Sequence, residues 1–152
     1  MRFLALTSVF LASWIADPGA AQQARAGERG DLVVVDKSER TVRVYQDGKA
    51  IRIYRGVQFG DTPQGHKRFQ GDERTPEGRY TLDYANPQSS YYLSLHVSYP
   101  NAHDRAYAQA RGRSPGGDIF LHGQPNSLSF DDRVEGDWTD GCIALSNREI
   151  AE

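Results

Sequence analysis

The chain contains one cysteine, Cys142, and four histidines, His66, His96, His103 and His122. Cys142 lies in Asp137-Trp138-Thr139-Asp140-Gly141-Cys142-Ile143-Ala144-Leu145-Ser146-Asn147, and His122 in Ile119-Phe120-Leu121-His122-Gly123. Each segment sets a reactive side chain at the edge of an apolar run beside a glycine, where substrate or backbone can approach closely. A thiol is mostly protonated near neutral pH, and an imidazole within reach can take its proton. The second ring nitrogen then needs an acceptor, a carboxylate or a carbonyl, to fix the tautomer. A tetrahedral intermediate needs N–H donors for its oxyanion, and the adjacent amides of Gly141 and Cys142 offer two. These residue types fit acyl transfer through a thioester. The spacing alone equally allows Cys142 as a small buried hydrophobe beside Ile143 and His122 as a hydrogen-bonded strand end. A zinc site from His122, Asp140 and Cys142 lacks a fourth ligand and paired spacing, so no metal and no other cofactor is expected. His66, His96 and His103 stand alone and read as structural or surface residues. Tyr91-Tyr92 and Tyr99 either pack strands or line a groove.

Positioning these groups falls to a chain that reads as mainly β. Residues 32–36 are densely β-branched, and residues 41–45 and 51–54 alternate apolar and polar as half-buried strands do. Asp47-Gly48 between the last two is a hairpin turn, since both positions tolerate positive φ. A three-stranded antiparallel meander is predicted. Residues 60–71 read as a loop, Thr75-Pro76-Glu77-Gly78 as a turn, and residues 79–84 and 91–98 as strands. Residues 102–111 have a helix-forming composition. Residues 118–123 read as a buried strand ending at the His-Gly corner, residues 124–138 as a long polar loop, and residues 141–145 as a short apolar strand or a strand-to-helix junction. Within the loop, residues 131–135 are either a flap over the site or a solvated stretch. Asn147 is predicted to cap a helix starting at Arg148. That helix has barely begun at Glu152, so the domain, residues 27–152, is expected to be truncated at its C-terminus.

With 152 residues there is room for one domain, and 38% hydrophobic with 25% charged residues suits a packed core. A net charge of −2 speaks against nucleic acid as a partner. Residues 1–26 read as an export signal: Arg2, an apolar run over residues 3–16, the break at Pro18-Gly19, then small residues that place cleavage after Ala21 or Ala26. A buried N-terminal helix is the other reading of that run. No bilayer-spanning segment is expected in the mature chain, which would reside in the periplasm or cell envelope.

Over residues 31–147 the chain resembles the L,D-transpeptidase catalytic domains of the YkuD type. That family pairs a histidine, across a gap of fourteen to seventeen residues, with Ser/Thr-His-Gly-Cys, and an asparagine follows. Here sixteen residues separate His122 from Thr139-Asp140-Gly141-Cys142, and Asn147 follows. Thr75-Pro76-Glu77-Gly78-Arg79-Tyr80 also matches a family pattern, Thr-Pro-x-Gly-x-Tyr/Phe. The resemblance implies an L,D-transpeptidase-like β-sandwich with one or two short helices. It implies Cys142 as nucleophile, His122 as general base, the Gly123 carbonyl orienting the imidazole, and the Gly141 and Cys142 amides as oxyanion donors. Thr139, Asp140 and Asn147 would form the substrate-binding loop. Asp140 replaces the family's histidine, as a substrate-amine contact or a structural cap, and Ala144 stands where many members have arginine. The implied substrates are peptidoglycan stem peptides as donor and acceptor, joined into cross-links, and carbapenem-type inhibitors would acylate Cys142. Water in place of the acceptor amine would make an L,D-carboxypeptidase or endopeptidase. A non-catalytic wall-binding module is the reading outside enzymology.

Overall fold

The computed structural model describes residues 29–152. The expected export signal over residues 1–26 lies outside the described residues. Three strands come first: β1 (Leu32–Asp36), β2 (Thr41–Gln46) and β3 (Lys49–Arg55), antiparallel in the order β1-β2-β3. Asp47 and Gly48 turn the second hairpin with φ of 50° and 74°, the left-handed pair that a two-residue turn matched to strand twist requires. Asp36 closes the first turn by accepting from Ser38 Oγ at 2.7 Å and Glu39 N at 2.9 Å.

The second sheet holds β4 (Leu82–Ser89), β5 (Tyr92–Val97), β6 (Ile119–His122) and β7 (Ile143–Ala144) in that order. The first two pairings are antiparallel, whereas β6 and β7 run parallel. β4 lies further along the chain than residues 79–84. Gly78 bends at φ 125°, the Thr81 amide is taken by the Ser98 hydroxyl at 2.8 Å, and the strand continues through Pro87. Proline is tolerated there because β4 is an edge strand with an irregular register.

Two short helices complete the described residues: α1 (Ala102–Gln109) and α2 (Asn147–Ala151). Asn101 caps α1, and Asp104 completes a reciprocal box. Ser146, not Asn147, caps α2. Its hydroxyl accepts from Glu149 N, and the Glu149 carboxylate accepts from Ser146 N at 2.8 Å. Asn147 is thereby the first helical residue, and its side chain is free to turn inward.

The core lies between the sheets. Val42, Val57 and Phe59 meet Val97, Ile119, Leu121, Ile143 and Leu145, all buried. Each such side chain contributes roughly 1.5–3 kcal/mol through removal from water. The segment after β3 crosses to the second sheet, where Gln58 and Ala144 exchange amide-to-carbonyl bonds of 3.0 and 2.9 Å. Gly60 bridges Thr139, and a Cβ there would lie 2.2 Å from Glu73 O and 2.6 Å from Thr139 O. Asp137 ties the same segment to the meander. It takes two 2.7 Å bonds from the Arg40 guanidinium and one of 2.9 Å from Phe59 N.

Candidate active site

Strand alternation decides which groups of β6 face outward. Ile119 and Leu121 enter the core, so Phe120 and His122 point to the other face. His122 is nevertheless only 3% exposed, because Tyr91 lies 4.6 Å and Trp138 5.5 Å from its ring centroid. At the strand end, Gly123 fits where no larger residue would: a Cβ would sit 2.5 Å from Asn147 Oδ1 and 3.0 Å from Tyr91 O. Its carbonyl lies 2.7 Å from His122 Nδ1. A carbonyl only accepts, so Nδ1 carries the proton, and in the neutral ring Nε2 keeps its lone pair.

Cys142 immediately precedes β7. Register sets Ala144 beside His122, so the thiol, at the head of β7, lies next to the strand that carries the imidazole. Gly141 adopts φ 123°, a conformation reserved for glycine, and a Cβ there would meet Arg74 O at 2.5 Å. Thr139 Oγ1 donates to Cys142 O at 2.8 Å and accepts a long bond, 3.3 Å, from Gly141 N. The Cys142 amide has no hydrogen-bond partner among the described residues. Its sulfur accepts from Phe120 N at 3.4 Å and donates to Asp118 O at 3.5 Å. Asp118 itself has φ 54°, an uncommon conformation for a non-glycine residue beside a reactive group.

Burial pushes the Cys142 thiol above its ordinary value of 9.0. The Phe120 amide opposes this, Asp140 and Asp118 add to it, and Lys67 counters. Burial holds His122 below 6.5 against the Gly123 carbonyl, which favours the charged ring. Both shifts favour a neutral thiol beside a neutral imidazole rather than a resting ion pair.

Two hollows meet at these groups. A cavity of about 760 Å³ is lined by Lys67, Glu73, Trp138, Thr139 and Asp140, and a crevice of about 280 Å³ by Asn86, Ser89, Ser94 and Phe120. Tyr91, Asp118, His122 and Cys142 belong to both. Another hollow, about 560 Å³ between β1 and β4, presents Lys37, Thr75 and Glu77 but no thiol.

Of the residues singled out in the sequence, Tyr91, His122, Thr139, Asp140 and Cys142 line the larger cavity, while Gly123 and Gly141 are not among its lining residues. Asp140 is exposed and has no hydrogen-bond partner among the described residues. Asn147 lies away from both hollows and accepts from Gln124 N at 2.8 Å. The stretch 131–135 lines neither. Gln58 and Gln124 pin it, the first donating to Val134 O at 2.6 Å and the second accepting from Val134 N at 3.0 Å. Sequence reasoning missed Lys67, which is 3% exposed and bonded to Asp72 at 3.0 Å. Asp72 also gathers the amides of Arg68, Phe69 and Arg74, shaping the loop that walls the cavity. A lysine and an aspartate five apart in a polar loop gave no signal of this.

Comparison with known proteins agrees with this architecture. The model of the L,D-transpeptidase catalytic domain, YkuD, matches residues 30–152. YafK of Escherichia coli (strain K12), which carries the provisional name of an L,D-transpeptidase, is 28% identical over 126 residues, or 79% of this chain and 44% of that protein. The helical cell shape determining protein Pgp2 of Campylobacter jejuni superposes with a TM-score of 0.60 at 32% identity, over 78% of this chain and 41% of that one. Bd1075 of Bdellovibrio bacteriovorus gives 0.50 at 27% identity, over 79% of this chain and 40% of that one. The chain thus spans less than half the length of these relatives. With the family pattern matched across almost all of the described residues, the chain belongs to the YkuD L,D-transpeptidase catalytic domain family and has its mainly β, two-sheet fold.

Proposed function

We propose that this chain is an exported cysteine acyltransferase that cross-links peptidoglycan stem peptides as an L,D-transpeptidase. The carrying observation is an imidazole, its proton locked on Nδ1 by the Gly123 carbonyl, that shares two hollows with the chain's one thiol. The S–H bond swings from Asp118 O towards His122 Nε2, which takes the proton as sulfur attacks the carbonyl of an L-centre. The oxyanion meets the Cys142 amide, joined by that of Gly141 once its long bond to Thr139 opens. His122 returns the proton to the departing amine of the terminal D-amino acid as the C–N bond breaks. The thioester then accepts an amine from a second stem, His122 takes that amine's proton, and the thiol is restored. No cofactor enters. Asp140, exposed on the cavity and without a hydrogen-bond partner among the described residues, meets a substrate amine, while Thr139 and Asn147 hold the loops.

Two hollows that share the thiol leave room for a donor and an acceptor, which supports transfer. Water on the acceptor side would give the L,D-carboxypeptidase or endopeptidase with the same residues. Incubation with tetrapeptide stems and their dimers, read by mass spectrometry, separates these readings. New cross-linked masses are expected, with a carbapenem adduct on Cys142 that vanishes in Cys142→Ala. Shortened peptides alone would convert the assignment to hydrolysis. Absence of both products and adduct would leave a wall-binding module.

A further inference from the structure

On the outward face of the second sheet, three rings from three strands form a triangular cluster. Register pairs His96 of β5 with Phe120 of β6. Tyr84 of β4 stacks on His96, with centroids 4.6 Å and planes 16° apart. Phe120 meets His96 at 5.0 Å and Tyr84 at 6.1 Å, both edge-on. Asp83 holds His96 Nδ1 at 2.6 Å. One face of Tyr84 is covered by His96, yet the residue is 51% exposed, so its other face is open. Of the three, Phe120 lines the smaller crevice together with Cys142, and Tyr84 and His96 pack against Phe120. Ser94, the cross-strand neighbour of His122, also lines it. Ser94 is 5% exposed, and its hydroxyl has no hydrogen-bond partner among the described residues.

Over β5 and β6 this face presents side chains, because their backbone groups are engaged in the ladder, and the free edge of β4 lies on its far side from β5, so an extended peptide finds no pairing edge over the crevice. What it offers is an open aromatic face beside hydroxyl and amide groups, Ser94 and Asn86. That combination suits a ligand with apolar faces and an edge of hydroxyl and amide groups, the description of an N-acetylated pyranose. The reach also fits. Two strand spacings separate β4 from β6, about 10 Å, and three residues of extended chain span at most about 11 Å. The geometry points to a saccharide subsite, with Tyr84 as platform and Ser94 as hydrogen-bonding floor, for the N-acetylated sugar that carries the stem whose carbonyl meets Cys142. This rests on the stem-peptide reading above.

The test compares a disaccharide-linked tetrapeptide with the free tetrapeptide. The wild type is expected to prefer the sugar-bearing substrate in kcat/KM. Tyr84→Ala should lower that ratio about tenfold, the scale of one lost aromatic stack, Ser94→Ala should lower it as well, and Tyr84→Phe should preserve it. Equal use of both substrates by the wild type would overturn the subsite while leaving the acyltransferase intact. A binding arm stands apart from turnover. In Cys142→Ala, titration with an N-acetylglucosamine trisaccharide should shift the NMR ring signals of Tyr84, His96 and Phe120. If those signals do not move, the subsite is refuted, whatever the fate of the acyltransferase assignment.

Discussion

Replacing Gly123 by alanine tests whether the carbonyl behind His122 governs its reactivity. The new Cβ would lie 2.5 Å from Asn147 Oδ1, 3.0 Å from Tyr91 O and 3.2 Å from Ile150 Cγ2. Asn147 cannot yield freely, since it is 5% exposed and holds Gln124 N at 2.8 Å. Relief therefore moves residue 123 itself and carries its carbonyl away from the 2.7 Å contact with Nδ1. Overpacking of this kind costs about 1–3 kcal/mol, a fall in Tm of roughly 5–10 °C. Misplacement of a reacting group by about 1 Å costs on the order of 100-fold in rate. Carbapenem acylation of Cys142, followed by mass against time, should slow by about that factor in protein that remains folded. Gly117→Ala is the control. It lies on the same cavity, but its Cβ would have nothing nearer than 3.8 Å, so stability and acylation should hold. A folded Gly123→Ala acylated at more than one-third of the wild-type rate would refute the argument.

The neutral resting pair predicts that iodoacetamide alkylates Cys142 with a midpoint above pH 9, so that under about 1% of the plateau rate is seen at pH 7. A midpoint near or below pH 7 would mean an ion pair. Asp140→Asn removes a charge that raises the thiol, so the midpoint should fall. Thermal stability should be flat between about pH 6.5 and 9 and decline in two stages on acidification. Burial holds His122 low, so its share is complete above 6.5 and lost as pH falls through the folded value, a stage that His122→Asn removes. The second stage comes below 3.8 as Asp137 and Asp104 protonate. Arg40 holds the Asp137 carboxyl low despite burial. For Asp104 burial pushes up, and the Asn101 amide, Tyr80 hydroxyl and His66 outweigh it. Asp137→Ala strands the Phe59 amide and frees the Trp138 loop, so unfolding in urea should show a loss of about 2 kcal/mol, with slower acylation alongside.

The meander was legible because its signals are local: β-branched alternation and an Asp-Gly turn. The cap of α2 was legible too, in Ser146 and Glu149 three residues on, but Asn147 drew the assignment one position late. The end of β4 was hidden because Asn86-Pro87 reads as a break unless the strand is known to lie at an edge. At the site, Cys142 and His122 stood out by residue type and by the glycine beside each. Tyr91 could be read as strand packing or as groove lining, and Trp138 and Lys67 gave no such signal, because each reaches the site through contacts between segments distant in the chain. The same holds for Gln58 and Gln124, whose bond of 3.1 Å spans 66 residues.

Because β6 and β7 are parallel neighbours, the chain leaves one strand end and must travel back before entering the next. The connection that does this is anchored by Gln58 and Gln124 and lines neither hollow over residues 131–135. Base and nucleophile are kept in step by the pairing of Leu121 with Ile143, not by the length of the intervening chain. The exposed part of that connection over residues 129–132, which lines neither hollow, is therefore where an inserted tag or recognition peptide would be carried at least cost to the chemistry.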